Sequence, residues 1–251
     1  MNTSTFIIPC SVFCGSPKKI NCWVVPAHKM EIGSREWQNF IIDGAQKLGI
    51  VIDAGITAQF SIHAAELIRW NRKLNLTAIT HPEDLAVKHF LDSLAPAHFI
   101  PDNARMLDIG SGGGFPGIPL KILNPSLKVI LIDGTRKKVS FLKHALRTLK
   151  LESIEAHQIR AENLSEDPVY ENSYDVIISR ALSSLKRFVA MALPLLAKSG
   201  TIMAMKGEVD QRELDAVNLD GPAERCQLEV KNYKLPSTKA VRSIVIIRRL
   251  P

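Results

Sequence analysis

Apolar residues recur at helical spacing from Ser34 to about Leu48, where Trp37, Phe40, Ile41, Ala45 and Leu48 share one side. Ser34 stands where an N-cap is wanted. A second helical pattern follows, with Thr57 as its expected cap and Phe60, Ala64, Leu67, Ile68 and Leu74 on one face. A third, from Pro82 to Phe99, is also mainly helical. Beyond residue 100 the pattern changes to short apolar runs separated by helical stretches. The expected strands are Arg105–Ile109, Leu127–Ile132, Ser153–Ile159, Tyr174–Ser179, Gly200–Met205, Cys226–Lys231 and Ser243–Arg248. Helical patterns fill several gaps, notably Lys137–Leu149 and Leu185–Ala197. Strands alternating with helices predict an α/β fold with a mostly parallel sheet covered on both faces. The chain divides into a helical region at 30–100 and an α/β region at 101–251.

Residues 1–29 fit neither pattern. They contain Cys10, Cys14 and Cys22, prolines that interrupt any periodicity, and no acidic residue. They are read either as a flexible basic extension or as sequence ahead of a true start at Met30. The cysteines show no paired spacing, and no histidine follows at zinc-finger distance. Reduced thiols in a cytoplasmic protein are expected, with no metal. No apolar run is long enough to span a bilayer, and no membrane partner is expected. The formal net charge of +7 is compatible with an anionic partner without requiring one.

The chemistry concentrates between Met106 and Leu123. A strand pattern ends at Ile109, glycines follow, and a new apolar pattern starts behind Pro116 and Pro119. This is a strand, a tight turn and the start of a helix, whose N-terminus offers N–H groups to a ligand. A dinucleotide fingerprint from Gly110 would need glycine at 115, where Phe115 stands. The actual run, Asp108-Ile109-Gly110-Ser111-Gly112-Gly113-Gly114, resembles the first motif of the class I methyltransferases that use S-adenosylmethionine (SAM). Their Rossmann-like fold is a seven-stranded, mostly parallel sheet whose final strand is antiparallel. Here it would carry an N-terminal helical extension.

Ligands of open α/β sheets bind beyond the carboxyl ends of the strands. Asp133 ends the second strand, 25 residues after Asp108, where a carboxylate can accept from both ribose hydroxyls of an adenosyl group. Ala161 after the third strand leaves room for an adenine ring, and Glu162 can accept from its amino group. Arg180 ends the fourth strand, and Lys206-Gly207 the fifth. Each has a plainer reading: Asp133 as a helix cap, Glu162 as a solvated charge, Arg180 as half of a surface ion pair.

From about Glu36 onward the chain resembles the RsmG (GidB) methyltransferase family. Trp70-Asn71-Arg72-Lys73-Leu74-Asn75-Leu76-Thr77 is similar to its W-N-x-x-x-N-L-T motif, and His89 to Leu94 to its H-x-x-D-S-L motif. Gly110 to Pro119, Arg160-Ala161-Glu162, Ser179-Arg180-Ala181 and Lys206-Gly207 match in order. The resemblance implies methylation of N7 of a specific guanine in 16S rRNA, with the small ribosomal subunit as partner and SAM as donor. It places Gly110, Phe115, Ala161, Glu162 and Arg180 around SAM; Gly112 and Asp133 join them from the loop and strand reading. Two departures stand out: residues 1–29 have no counterpart, and Gly134 stands where the family more usually has serine.

Guanine N7 carries a lone pair and no proton, so in-line methyl transfer needs alignment rather than a general base. There is no D/N-P-P-Y/F motif after the fourth strand, the mark of amino-group methylation, and no cysteine there for covalent attack. Asp92 is a candidate for stabilising the positive charge that reaches the base; bracing the helices is its alternative. Arg136, Lys143, Arg147 and Lys150 lie at offsets 0, 7, 11 and 14, a shared helix face that is a candidate phosphate track. Arg69, Arg72, Lys73, Lys186 and Arg187 could extend it, while Trp70 is read as packing between helices. Nothing demands more than a monomer. Two other readings stay open, a SAM-dependent enzyme for another RNA or small molecule and a non-catalytic binding module.

Overall fold

The first helix forms as its pattern requires. α1 (Arg35–Lys47) opens on Ser34, whose hydroxyl accepts the Trp37 N–H at 3.1 Å, and it buries Trp37, Ile41 and Ala45. α2 (Ala54–Leu74) starts a turn earlier than expected. Its cap is Asp53, whose carboxylate accepts the Ile56 N–H at 2.8 Å. Thr57 is not the cap; it is buried inside the first turn, its hydroxyl donating to the Asp53 and Ala54 carbonyls. An ionised acceptor one turn upstream outcompetes a hydroxyl that can satisfy itself on the helix backbone. α3 is a helical run at 82–99: an α turn at Pro82–Leu85, a π-helical segment at Ala86–Leu91, an α turn at Asp92–Leu94 and a 3₁₀ end at Ala95–Phe99.

The computed structural model describes residues 30–165, 170–180, 184–217 and 226–249. The two readings of residues 1–29 lie outside these, as do Ala181 and the side chain of Ala161. All seven expected strands form: β1 (Arg105–Ile109), β2 (Lys128–Ile132), β3 (Ile154–His157), β4 (Tyr174–Arg180), β5 (Leu196–Lys206), β6 (Cys226–Lys234) and β7 (Val241–Arg249). Their order in one sheet is β3-β2-β1-β4-β5-β7-β6. The pairs among β1 to β5 are parallel, and β7 runs antiparallel to β5 and β6, as expected of the final strand.

Several boundaries differ from the sequence pattern: β6 runs on to Lys234 and β7 starts at Val241, and two other differences have a local cause. β3 stops at His157, the residue paired with Ile132 at the end of β2, because an edge strand ends where its neighbour does. The helix expected to reach Ala197 is α7 (Leu185–Ala192); it gives way to a 3₁₀ turn at Leu193–Leu195, and Leu196 already belongs to β5. Pro194 cannot donate the hydrogen bond that would continue the helix.

The intervening helices are α4 (Gly117–Leu123), α5 (Arg136–Leu149) and α6 (Ala161–Ser165), with α8 (Gln211–Asp215) after β5. Successive strand residues point to opposite faces, so the sheet serves two cores. Met106, Val129, Val176, Met203 and Ile244 pack with α1, α2, α3 and α5; Leu107, Ile177, Ile202 and Val245 pack with α7. The N-terminal helices and the sheet therefore share one buried cluster. Phe90 is its hub, 4.9 Å from the Phe60 ring, 5.6 Å from Trp37 and 5.4 Å from Phe115 of the glycine loop. Through Phe90 the helical layer is anchored against the carboxyl rim of the sheet.

Candidate functional site

The glycine loop passes from β1 into α4 with several of its N–H groups already claimed. Gly110 and Ser111 donate to the Ile132 carbonyl, Phe115 to Ser111, and Gly117 to the Asp108 carboxylate at 2.9 Å. The expectation that the helix N-terminus presents its N–H groups to a ligand is corrected at Gly117, where the chain's own carboxylate takes that place. Gly117 is also tightly packed, since a Cβ there would stand 2.4 Å from the Leu131 side chain and 2.7 Å from the Asp108 carboxylate, and both would have to shift. Asp108 is fully buried, and its second oxygen has no hydrogen-bond partner. Burial pushes its carboxyl up to about 7, against the pull of the Gly117 N–H and Ser111.

What the loop leaves open is space. Gly110 has φ +75°, and a Cβ on it would meet no atom within 4 Å. It borders two hollows on the rim. One, of about 240 Å³, is lined by Ile109, Gly110, Asp133, Ile159, Arg160 and Glu162 among others. The other, also about 240 Å³, is lined by Gly110, Gly112, Phe115, Thr77, His89 and Arg180 among others. These hollows bring together Gly110, Gly112, Phe115, Asp133, Glu162 and Arg180. Asp133 accepts the Gly112 N–H at 3.2 Å and the Thr135 N–H at 2.8 Å, with Lys138 at 3.7 Å. A carboxylate has about four lone-pair sites, so acceptors remain on it. Glu162 borders the first hollow and carries an ion pair of 2.7 Å with Arg187. The residues present fit an adenosyl group: an acidic end to β2, an apolar pair in Ile109 and Ile159, and a glycine whose missing side chain leaves room.

The second hollow is walled by a ring stack. Phe115 lies between His63 and His89, with centroids 4.8 Å and 4.5 Å away. His63 donates from Nε2 to the Gly113 carbonyl at 2.9 Å, and burial takes its imidazole down to about 4. His89 falls to about 3, through burial first and then the charge of Arg180. Both rings are neutral near pH 7. Arg180 Nη2 donates to His89 Nδ1 at 3.1 Å, so the other ring nitrogen carries the proton and donates to the Thr77 hydroxyl at 2.8 Å. Asn71 clamps Thr77 through both of that residue's backbone groups at 2.9 Å.

Arg180 is the junction of the rim. Its Nη1 donates to the Lys88 carbonyl at 2.8 Å and lies 3.5 Å from Asp92, and the guanidinium sits 5.2 Å from the Phe115 centroid. Burial lowers its pKa, opposed by Asp92 and Asp108. On its far side is a third hollow of about 290 Å³, lined by Ile79, His89, Asp92, Met205, Lys206 and Arg242 among others. Asp92 is 7 % exposed there and accepts the Tyr233 hydroxyl at 2.7 Å. Burial, with Asp92 beside it, lifts the Tyr233 phenol far above its ordinary range, so it remains a donor. Tyr233 and Arg242 are direct partners across β6 and β7, which places both side chains on one face.

The basic stripe is only partly gathered. Arg136, Lys143, Arg147 and Lys150 are all exposed. Lys143, Arg147 and Lys150 border a groove of about 390 Å³ between α5 and β3. Arg136 stands at the other end of α5, and Lys150 is its left-handed C-cap. Trp70 packs on Phe141 and His144 of α5, as expected of a packing residue. Arg69 is held by Glu66 and His144, and Arg187 by Glu162.

Sequence reasoning gave no role to His63, Thr77, Tyr233 or Arg242. The two motifs containing Thr77 and His89 carried a signal for that pair. Tyr233 and Arg242 had none, since neither belongs to a recognisable pattern.

A family description, GidB: rRNA small subunit methyltransferase G, matches residues 56–245. The ribosomal RNA small subunit methyltransferase G of Geobacter sp. (strain M21) is 45% identical over 208 residues, 82% of this chain and 94% of that protein. The protein of the same name from Geobacter sulfurreducens is 42% identical over the same coverage. Among solved structures, a SAM dependent methyltransferase from Aquifex aeolicus superposes with a TM-score of 0.50 at 17% identity, covering 66% of this chain and 93% of that one. At that identity the likeness establishes the fold.

Proposed function

This chain belongs to the rRNA small subunit methyltransferase G (GidB) family of SAM-dependent 16S rRNA methyltransferases, and from that premise we propose that it methylates N7 of one guanine, the G527 type, at the carboxyl rim of its sheet. The observation that carries this reading is continuity. The first two hollows share Gly110, and the second and third share His89 and Arg180, so the three lie side by side along the rim from Asp133 to Arg242.

SAM bound in the first two hollows supplies an electrophilic methyl group on a sulfonium. The residues proposed to hold it are Gly110, Gly112, Phe115, Asp133, Ala161, Glu162 and Arg180. Asp133 keeps lone pairs for ribose hydroxyls, and Ile109 and Ile159 offer apolar contact to a purine. Neutral His89 lines the second hollow, with neutral His63 stacked on Phe115, so neither imidazole adds positive charge beside a sulfonium.

N7 needs no deprotonation, so the step requires no base. His89 has both ring nitrogens occupied, and Asp92 is held by Tyr233 and Arg180. The protein's contribution is alignment, which supplies on the order of 7–11 kcal/mol in well-oriented reactions. Asp92 adds a fixed negative charge near the base as it becomes cationic. Arg136, Lys143, Arg147 and Lys150 are proposed to follow the rRNA backbone. The partner is the 16S rRNA or the small subunit, met by a monomer in the cytoplasm. Among the described residues no helix is long and apolar enough to cross a membrane.

The test is mass-spectrometric mapping of small-subunit rRNA from cells lacking the protein, before and after incubation with the purified chain and SAM. A single new N7-methylguanine is expected. Methylation at another atom, or none on rRNA and subunits alike, overturns the proposal.

A further inference from the structure

We propose that the 290 Å³ hollow beyond Arg180 is the acceptor-base pocket, and that Asp92, positioned by Tyr233, reads the N1–H and N2–H edge of guanine beside Arg242. This rests on the guanine-N7 reading above and assigns a binding role to Tyr233 and Arg242.

The pocket is built from three kinds of wall. Ile79 and Met205 offer apolar surface to a flat ring. Asp92 is its lone carboxylate among the described residues, held by the Tyr233 hydroxyl at 2.7 Å and by Arg180 at 3.5 Å. Those two bonds leave acceptor sites on the carboxylate. The Arg242 side chain is 32 % exposed, with its Nε 3.9 Å from Asp92 Oδ1, so its guanidinium stands beside the carboxylate and keeps donors for an acceptor in the hollow.

The other cations at the pocket already have carboxylates. Lys88 pairs with Asp84 at 2.8 Å, and Lys206 pairs with Glu213. A free phosphate would meet the buried carboxylate of Asp92 beside that guanidinium and be repelled by it. Guanine fits better. Its Watson–Crick edge presents two adjacent donors, N1–H and N2–H, followed by the acceptor O6. A carboxylate beside a guanidinium is the complement of that order. Adenine presents a lone pair at N1, which a carboxylate repels.

With that edge on Asp92, the opposite side of the purine, which carries N7, is free to face the second hollow across His89 and Arg180. Methylation makes the base cationic and its N1–H more acidic, and no proton leaves in the step. The bond to Asp92 therefore strengthens as the methyl bond forms, which is differential stabilisation of the transition state.

The experiment compares methyl transfer to small-subunit rRNA carrying guanine or inosine at the methylated position; inosine lacks only the 2-amino group. The wild type should prefer guanine by about ten- to a hundred-fold in kcat/KM, as expected for a hydrogen bond to a buried charge. Asp92→Asn should lower kcat/KM on guanine about a hundred-fold and shrink the guanine-to-inosine ratio to within about threefold. Tyr233→Phe keeps the ring and frees the carboxylate; it should shrink the ratio by about two- to fivefold, a readout that mere loss of packing would not move. Calorimetry with adenosylhomocysteine should stay within about twofold in each variant, which reports an intact donor site. A ratio unchanged in both variants overturns the pocket assignment. A wild type that makes no N7-methylguanine overturns the reading on which it rests, and the wild-type arm alone shows which has failed.

Discussion

The two ends of the rim are built on different plans. The donor end is local. Gly110, Gly112, Asp133 and Glu162 follow three neighbouring strands, β1, β2 and β3, and each sits at a strand's carboxyl end. The acceptor end is assembled from afar. Asp92 comes from α3, Arg180 from β4, Tyr233 from β6 and Arg242 from β7, and the Asp92–Tyr233 bond spans 141 residues. A donor site of this kind draws mainly on neighbouring strands and the loops behind them, while the acceptor site needs the whole fold closed around it. Damage at the two ends should therefore look different.

The sharpest break is at Arg180, where the ends meet. Arg180→Ala removes the partner of a buried carboxylate and the donor to His89, and should cost about 3–5 kcal/mol in urea unfolding. It should also reduce methyl transfer at least a hundred-fold even where the protein stays folded. Arg180→Lys keeps the charge but cannot reach the Lys88 carbonyl and His89 together, so most of the activity should still be lost.

The second effect concerns acid. His89 and His63 are neutral in the fold down to about 3 and about 4, while the unfolded chain takes up those protons near 6.5. The unfolded state binds more protons below 6.5, so stability falls as pH drops, by about 1.4 kcal/mol per unit for each histidine. Asp108 works the other way. Its folded value of about 7 lies above the ordinary 3.8, so its contribution is present at low pH and is lost as pH rises through 7. His89→Gln should flatten the urea-unfolding profile between pH 4.5 and 6.5 by about 1.4 kcal/mol per unit. An unchanged slope would mean that His89 is protonated in the folded state.

Much of this division was already visible in the chain, and it follows the same line. Asp108 to Gly114 could be read because a tight turn between strand and helix restricts residue type at each position. Asp133 and Arg180 could be read because a strand's end is a fixed address. The central strands β1, β2 and β4 were legible because buried runs in a parallel sheet are nearly continuous, and the edge strand β6 because apolar and polar residues alternate along it. Thr57 was misjudged as a cap because both Asp53 and Thr57 are acceptable by type, and only the helix start decides. Tyr233 and Arg242 could not be found, because their meaning comes from the β6–β7 register and from the place where α3 comes to rest. No local pattern encodes either.

A third break isolates the donor end. Gly110→Ala puts a Cβ into open space at φ +75°. Stability should drop by about 1–2 kcal/mol from the backbone alone. Adenosylhomocysteine affinity should fall tenfold or more in calorimetry, with the Asp92–Tyr233 end untouched. The mildest change is on the α5 stripe. Lys143→Ala with Arg147→Ala should leave cofactor affinity intact and weaken rRNA binding. The slope of log affinity against log salt should fall by about 0.7–0.9 for each phosphate that the variant no longer neutralises.

The most direct measurement is a crystal structure with adenosylhomocysteine bound. The account predicts the adenosine beside Asp133 and Ile159, with the sulfur at the passage bordered by Phe115, His89 and Arg180, facing the Asp92 pocket. Adenosylhomocysteine lying elsewhere, or with its sulfur turned away from Arg180, would contradict it.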